Sequence, residues 1–117
     1  MSVSRKTGDV FDAILNAPPK MMPDAKQSND GSWSFSTPRG NANLKFKHNK
    51  TFGILDYLYE DEETIWDVPM RVVPSGDESE VIVTISKPDI LTDEQFDERM
   101  KELEGIFQNL KGLIEKG

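Results

Sequence analysis

The 117-residue sequence predicts a single α+β domain in which a curved antiparallel sheet of about six to seven strands wraps around a long C-terminal helix. Three observations carry this. A run of alternating apolar residues fills the middle of the chain, an amphipathic segment of period 3.6 closes it, and short helical stretches come after a brief opening strand. The length is close to that of one ordinary domain, so one core is expected over residues 1–117.

Residues 2–6 read as a short strand, and residues 8–22 as short helices. In the first of these, Val10, Phe11, Ile14 and Leu15 share a buried face. Pro18, Pro19 and Pro23 limit the next segment to a stub around Lys20–Met22. From 25 to 86 the period is two: Trp33 and Phe35, then Leu44, Phe46 and His48, then Trp66, Val68, Met70 and Val72, then Val81, Val83 and Ile85. Polar connections such as Asn29-Asp30-Gly31 and Ser75-Gly76-Asp77 divide the runs into an antiparallel meander. Pro69 cannot donate to a ladder, which calls for an unpaired position, a bulge or an edge within that strand.

The segment 93–115 is one helix. Thr92 and Gln95 form a capping-box signature, and Phe96, Met100, Leu103, Phe107, Leu110 and Ile114 recur at spacings of four and three. About 33 Å of helix would cross the whole face of a small sheet. Gly105 and Gly112 mark either a close approach or plain surface positions.

The formal charge of −7 argues against a nucleic-acid or anionic-membrane partner. The acidic runs Glu60–Glu63 and Asp93–Glu98 read as a solvated turn and a helix start. Without cysteine there is no disulfide framework or thiolate site, and no run is apolar enough to span a bilayer. Neither a signal peptide nor membrane insertion is expected, and the predicted location is cytoplasmic. His48, the sole histidine, falls at a turn; no metal site and no cofactor is expected. No serine elbow and no phosphate-binding glycine pattern is present.

Several short segments resemble members of the START-like superfamily, also called SRPBCC or the polyketide cyclase/dehydrase and lipid-transport group. They are Gly31-Ser32-Trp33-Ser34-Phe35, Phe52-Gly53-Ile54-Leu55-Asp56-Tyr57, Val68-Pro69-Met70-Arg71-Val72, Ser79-Glu80-Val81 and Leu110-Lys111-Gly112-Leu113-Ile114-Glu115. Thr7 to Leu15 is similar to the helix that comes after the family's opening strand. The resemblance implies a helix-grip fold with a cavity for a hydrophobic small molecule. Relatives often place histidine where this chain has Tyr57, which sets any Asp-His chemistry aside.

One helix cannot cover so wide an apolar face, so either a ligand-sized hollow remains or the uncovered surface meets another molecule. The expected function is to hold a hydrophobic or aromatic ligand between sheet and helix. The lining would come from Trp33, Phe35, Phe46, Leu55, Tyr57, Trp66, Val68 and Met70 on the sheet and Phe96, Met100, Leu103 and Phe107 on the helix. Tyr57, Tyr59 and the indoles of Trp33 and Trp66 would orient its polar atoms.

Two alternatives stand beside it. One is a cyclase- or dehydratase-type enzyme using Asp56 and Tyr57; the other is a co-chaperone-like interaction module with a filled core and a protein partner. Register decides the first. With a two-residue turn before the strand, Leu55, Tyr57 and Tyr59 share a face with Leu44 and Phe46 and Asp56 points outward; with three, Asp56 points inward. The first register is favoured, and Asp67 is expected to face solvent.

Overall fold

The computed structural model describes residues 1–116. In chain order the elements are β1 (Ser2–Val3), α1 (Thr7–Leu15), α2 (Pro18–Met21), β2 (Lys26–Gln27), β3 (Trp33–Thr37), β4 (Gly40–Asn49), β5 (Ile54–Glu60), β6 (Ile65–Val68), β7 (Met70–Ser75), β8 (Glu78–Val83) and α3 (Asp93–Lys116). The eight strands form one antiparallel sheet in the order β1-β8-β7-β5-β4-β3-β2, with β6 also on β5. Opening strand and last strand are thus neighbours, so the sheet bends back toward its own start.

The strand count exceeds expectation because of Pro69, which separates β6 from β7. Register does not change across it: Tyr57 faces Val68 on one side and Ile54 faces Arg71 on the other. Pro69 is therefore a gap in a continuous pairing, without an inserted residue. The Asp56 carboxylate bridges the gap by accepting the Met70 N–H at 2.9 Å, and the Pro69 carbonyl accepts from the Thr84 N–H at 3.0 Å. The opening strand is shorter than the sequence suggests, since the Arg5 N–H turns back to the Val3 carbonyl.

At α3 the capping box forms as the sequence implies. The Gln95 N–H donates to Thr92 Oγ1 at 3.1 Å, and the Thr92 N–H donates to Gln95 Oε1 at 2.9 Å, so two otherwise orphaned donors are satisfied. The helix then runs 24 residues, about 36 Å. Gly105 and Gly112 are plain surface glycines: a Cβ at either would meet nothing.

Gly53 is different. It ends the β4–β5 turn with φ +65°, and a Cβ there would sit 2.3 Å from the Val72 carbonyl oxygen. Its own carbonyl accepts the Val72 N–H at 2.9 Å, which ties the start of β5 to β7. A Gly53→Ala variant combines left-handed strain with a clash against backbone. Urea unfolding should show a loss of about 1–3 kcal/mol; an unchanged midpoint would mean the turn adapts.

Candidate ligand groove

Pairing sets which side chains face the helix. Leu44 lies opposite Tyr59, Phe46 opposite Tyr57, and Tyr57 and Tyr59 opposite Val68 and Trp66; Met70 faces Val83 and Val72 faces Val81. Paired residues share a side of the sheet, so these form the inner face. The β4–β5 connection spans residues 50–53, longer than either turn considered from sequence, but its even length preserves the favoured parity.

Asp56 therefore points to the outer face, where it holds the Met70 N–H and pairs with Arg71. Tyr57 points the opposite way. The two cannot converge on one substrate, which corrects the idea of a catalytic Asp56–Tyr57 pair. Asp67 is on the outer face too, exposed and 3.2 Å from Lys47 Nζ. His48 lies in β4 rather than in a turn; it is exposed, with its ring edge-on to Phe11 at 6.4 Å.

Both ends of the inner face are filled. At one end α1 brings Val10, Phe11 and Ile14 onto Val3, Leu55, Met70, Val72 and Val81, with Leu110 and Ile114 of α3 closing the cluster. Leu55 and Met70, expected as cavity lining, are solid core here at 0% and 2% exposure, because α1 occupies the space above them. At the other end Trp66 stacks on Phe96, ring centroids 6.1 Å apart and planes 20° apart, beside Val68 and Leu91. Trp66 and Val68 are thus packed as well. Phe35 is buried outside both clusters, its ring 6.4 Å from that of Tyr59.

Between the two ends the packing loosens. Leu44, Phe46, Tyr57 and Val83 on the sheet, and Met100, Leu103 and Phe107 on the helix, are only half-buried; Trp33 is half-buried further out on β3. A groove of about 520 Å³ runs beside this stretch of α3, lined by Met100, Leu103 and Phe107 with Met1 and Ser2, and edged by Glu104, Gln108 and Lys111. It is open to solvent along the helix, in contrast to the enclosed cavity that the sequence predicts.

Two tyrosines on the inner face have different surroundings. Burial pushes the Tyr59 phenol up to about 12, with the Asp61 charge adding to it, and its hydroxyl donates to Asp61 Oδ2 at 3.0 Å. Tyr59 is therefore occupied and is not the free orienting group the sequence suggests. Tyr57 is also pushed up to about 12, by burial alone. Its ring stands edge-on to Phe46 at 6.1 Å.

By sequence Asp61 belongs to a solvated acidic turn. The structure buries it instead. Its side chain is 0% exposed and that of Arg99 is 9% exposed, and Arg99 Nη1 lies 2.7 Å from Asp61 Oδ2. The N–H groups of Glu63 and Thr64 also donate to Asp61, at 2.9 and 3.0 Å. Burial on its own would raise this carboxyl, but the hydrogen bonds from Arg99, the two N–H groups and Tyr59 outweigh it and hold Asp61 down to about 2. Arg99 also reaches Glu63 at 2.9 Å, and Arg39 joins Glu63 and Glu102, so the two hairpin tips are fastened to α3. A signal for this exists in the sequence. Asp61 continues the 55-57-59 parity, and Arg99 lies on the apolar stripe three residues after Phe96 and four before Leu103.

Among the described residues no group of three or more His, Cys, Asp or Glu side chains is placed to hold a metal ion, and no helix is long and apolar enough to cross a membrane.

The sequence matches no family model and no curated protein at a significant level. Its structure is similar to the crystal structure of Ara h 8.0201: the match covers 100% of this chain and 95% of that one, with a TM-score of 0.72 at 13% sequence identity. A bent antiparallel sheet, two short early helices and a long C-terminal helix recur in the same arrangement, and the chain has the Bet v 1-like helix-grip fold.

Proposed function

We propose that this protein binds a small, largely apolar molecule in the groove between α3 and the N-terminal residues Met1 and Ser2 at the β1 edge of the sheet. The observation that supports it most is the unequal packing along the helix. Leu110 and Ile114 are buried at one end and Trp66 and Leu91 at the other, yet Met100, Leu103 and Phe107 between them stay only half-buried beside the groove they share with Met1 and Ser2. Apolar surface left beside a groove of about 520 Å³ is a natural seat for a ligand, since small-molecule sites run from roughly 300 to 1,000 Å³. Sequestering that surface would supply roughly 25 cal/mol for each Å² removed from water. The fold suits the reading, because a sheet gripping one helix leaves such a gap by construction.

The neutral dye N-phenyl-1-naphthylamine, which brightens in apolar surroundings, tests it. Wild-type protein should bind the dye saturably. Leu103→Trp puts a larger ring into the groove and should weaken binding at least about 10-fold, equivalent to about 1.4 kcal/mol, while folding stability stays nearly constant. Dye binding that ignores the Leu103 substitution would move the site elsewhere. No binding at all would end the reading.

A further inference from the structure

Helix α3 carries a second apolar pattern that its own molecule does not use. Ile106 and Leu113, one heptad apart, are 48% and 40% exposed, and each directly follows a glycine. Within one molecule a Cβ at Gly105 or Gly112 would meet nothing. Glycine inside a helix is unfavourable relative to alanine, so neither the two gaps nor the two bare side chains beside them are accounted for by the monomer. At 3.6 residues per turn these four positions, with Asn109 between them, form one strip on the solvent side of α3, where all five are exposed.

The strip is complementary to itself when a second copy lies on it antiparallel. With the two-fold axis at Asn109, Ile106 of each copy meets Gly112 of the other and Leu113 meets Gly105, so every branched side chain enters the gap that a missing Cβ leaves. The ends match in charge. In that register Lys116 comes opposite Glu102, with Glu98 one turn further on, and all three are exposed. Glu102 is already shared with Arg39, but Arg39 and Arg99 together face three carboxylates, Asp61, Glu63 and Glu102, so negative charge is left over for a lysine from outside. A parallel pairing would instead set Glu102 against Glu102 and Lys116 against Lys116 and would align the two helix dipoles. Asn109 at the axis can exchange hydrogen bonds with its own copy and so fixes the register.

We infer that the outer strip of α3 is a self-association surface whose occupant is a second copy of this chain, packed antiparallel about Asn109. One pair of helices is a small contact, at the low end of the size range for specific interfaces, so the dimer is weak and reversible. The groove beside Met1 and Ser2 takes Glu104, Gln108 and Lys111 from the other flank of α3, so self-association does not depend on the ligand reading.

Sedimentation equilibrium should show a monomer–dimer equilibrium with a dissociation constant of about 10 μM to 1 mM. Ile106→Glu should weaken it at least about 10-fold. Gly112→Gln fills the gap with a better helix former, so it should weaken the dimer while raising the urea midpoint of the dilute monomer, a combination that damage to the fold cannot produce. The chain has no cysteine, so introduced ones report geometry. Asn109→Cys should oxidise to a disulfide-linked dimer, whereas Glu104→Cys on the groove flank should not, because the bond needs Cα atoms within about 7 Å. Mixing Ile106→Cys with Gly112→Cys should give mainly the mixed disulfide. A chain that stays monomeric at about 1 mM, or association that both Ile106→Glu and Gly112→Gln leave intact, overturns the proposal. Equal cross-linking at 109 and 104, or an Ile106→Cys variant that pairs mainly with itself, overturns it too.

Discussion

Arg99→Met should destabilise this protein by about 3–5 kcal/mol, measured by urea unfolding at neutral pH. Methionine preserves most of the packing of the arginine stem, so the loss comes from Asp61, left ionised with a side chain at 0% exposure and without its main counter-charge. The pH dependence separates this from a packing defect. In wild type the Asp61 pKa lies below its unfolded value, so its contribution is present above about pH 4 and is lost as pH falls through about 2. In the variant burial is opposed only by the remaining hydrogen bonds, so the folded-state pKa moves up and protonation relieves the penalty. The gap between the two proteins should thus be widest at neutral pH and narrow on acidification. Adding Asp61→Asn, whose carbonyl can still accept the Glu63 and Thr64 N–H groups, should restore more than half of the loss. A gap that is flat with pH would mean that packing, not charge, was lost.

Met70→Ala should cost about 2–5 kcal/mol and Met70→Trp about 1–3 kcal/mol in the same assay. Both signs have one origin: Met70 is 2% exposed, packed in the cluster under α1 with Leu55 and Val81. Removing atoms leaves a cavity that the surrounding strands and α1 cannot fully close. Adding atoms forces off-rotamer packing. The contrast with Leu103 is the useful part, since a tryptophan at 103 enters open groove and one at 70 does not. A stable Met70→Trp variant would mean that the hollow extends beneath α1.

Period and parity made the architecture legible. Alternation from Trp33 to Ile85 and the Phe96–Ile114 stripe indicated a sheet and one crossing helix, and the comparison with Ara h 8.0201 agrees with that arrangement. Parity also placed Asp56 outward. What the pattern could not convey was depth. Leu55, Tyr57 and Tyr59 alternate identically, yet one is under α1, one packs between the two apolar clusters and one is tied to Asp61. That difference depends on where α1 lands on the sheet, and its own sequence carries only its apolar face, Val10, Phe11 and Ile14. Asp61 was hidden by its neighbours. Glu60, Glu62 and Glu63 are exposed, and a run of four acids reads as solvent-facing unless the 55-57-59 parity and the facing arginine are considered together.

The carboxylates that satisfy isolated backbone N–H groups have a consequence at the margins of the sheet. Past the end of β2, the Ser36 N–H of β3 donates to Asp24 at 2.9 Å; just after β1, the Ser4 N–H donates to Glu115 at 2.9 Å. Hydrogen bonds from Ser36 hold Asp24 below the usual carboxylate range, and the Ser4 N–H does the same for Glu115, so both remain ionised in mild acid. A second molecule approaching edge to edge would meet carboxylates that already hold these N–H groups, where an unpaired strand would otherwise offer donors. The groups that complete the ladder within one molecule thereby leave the Ser36 and Ser4 N–H groups with no free hydrogen to offer an approaching strand.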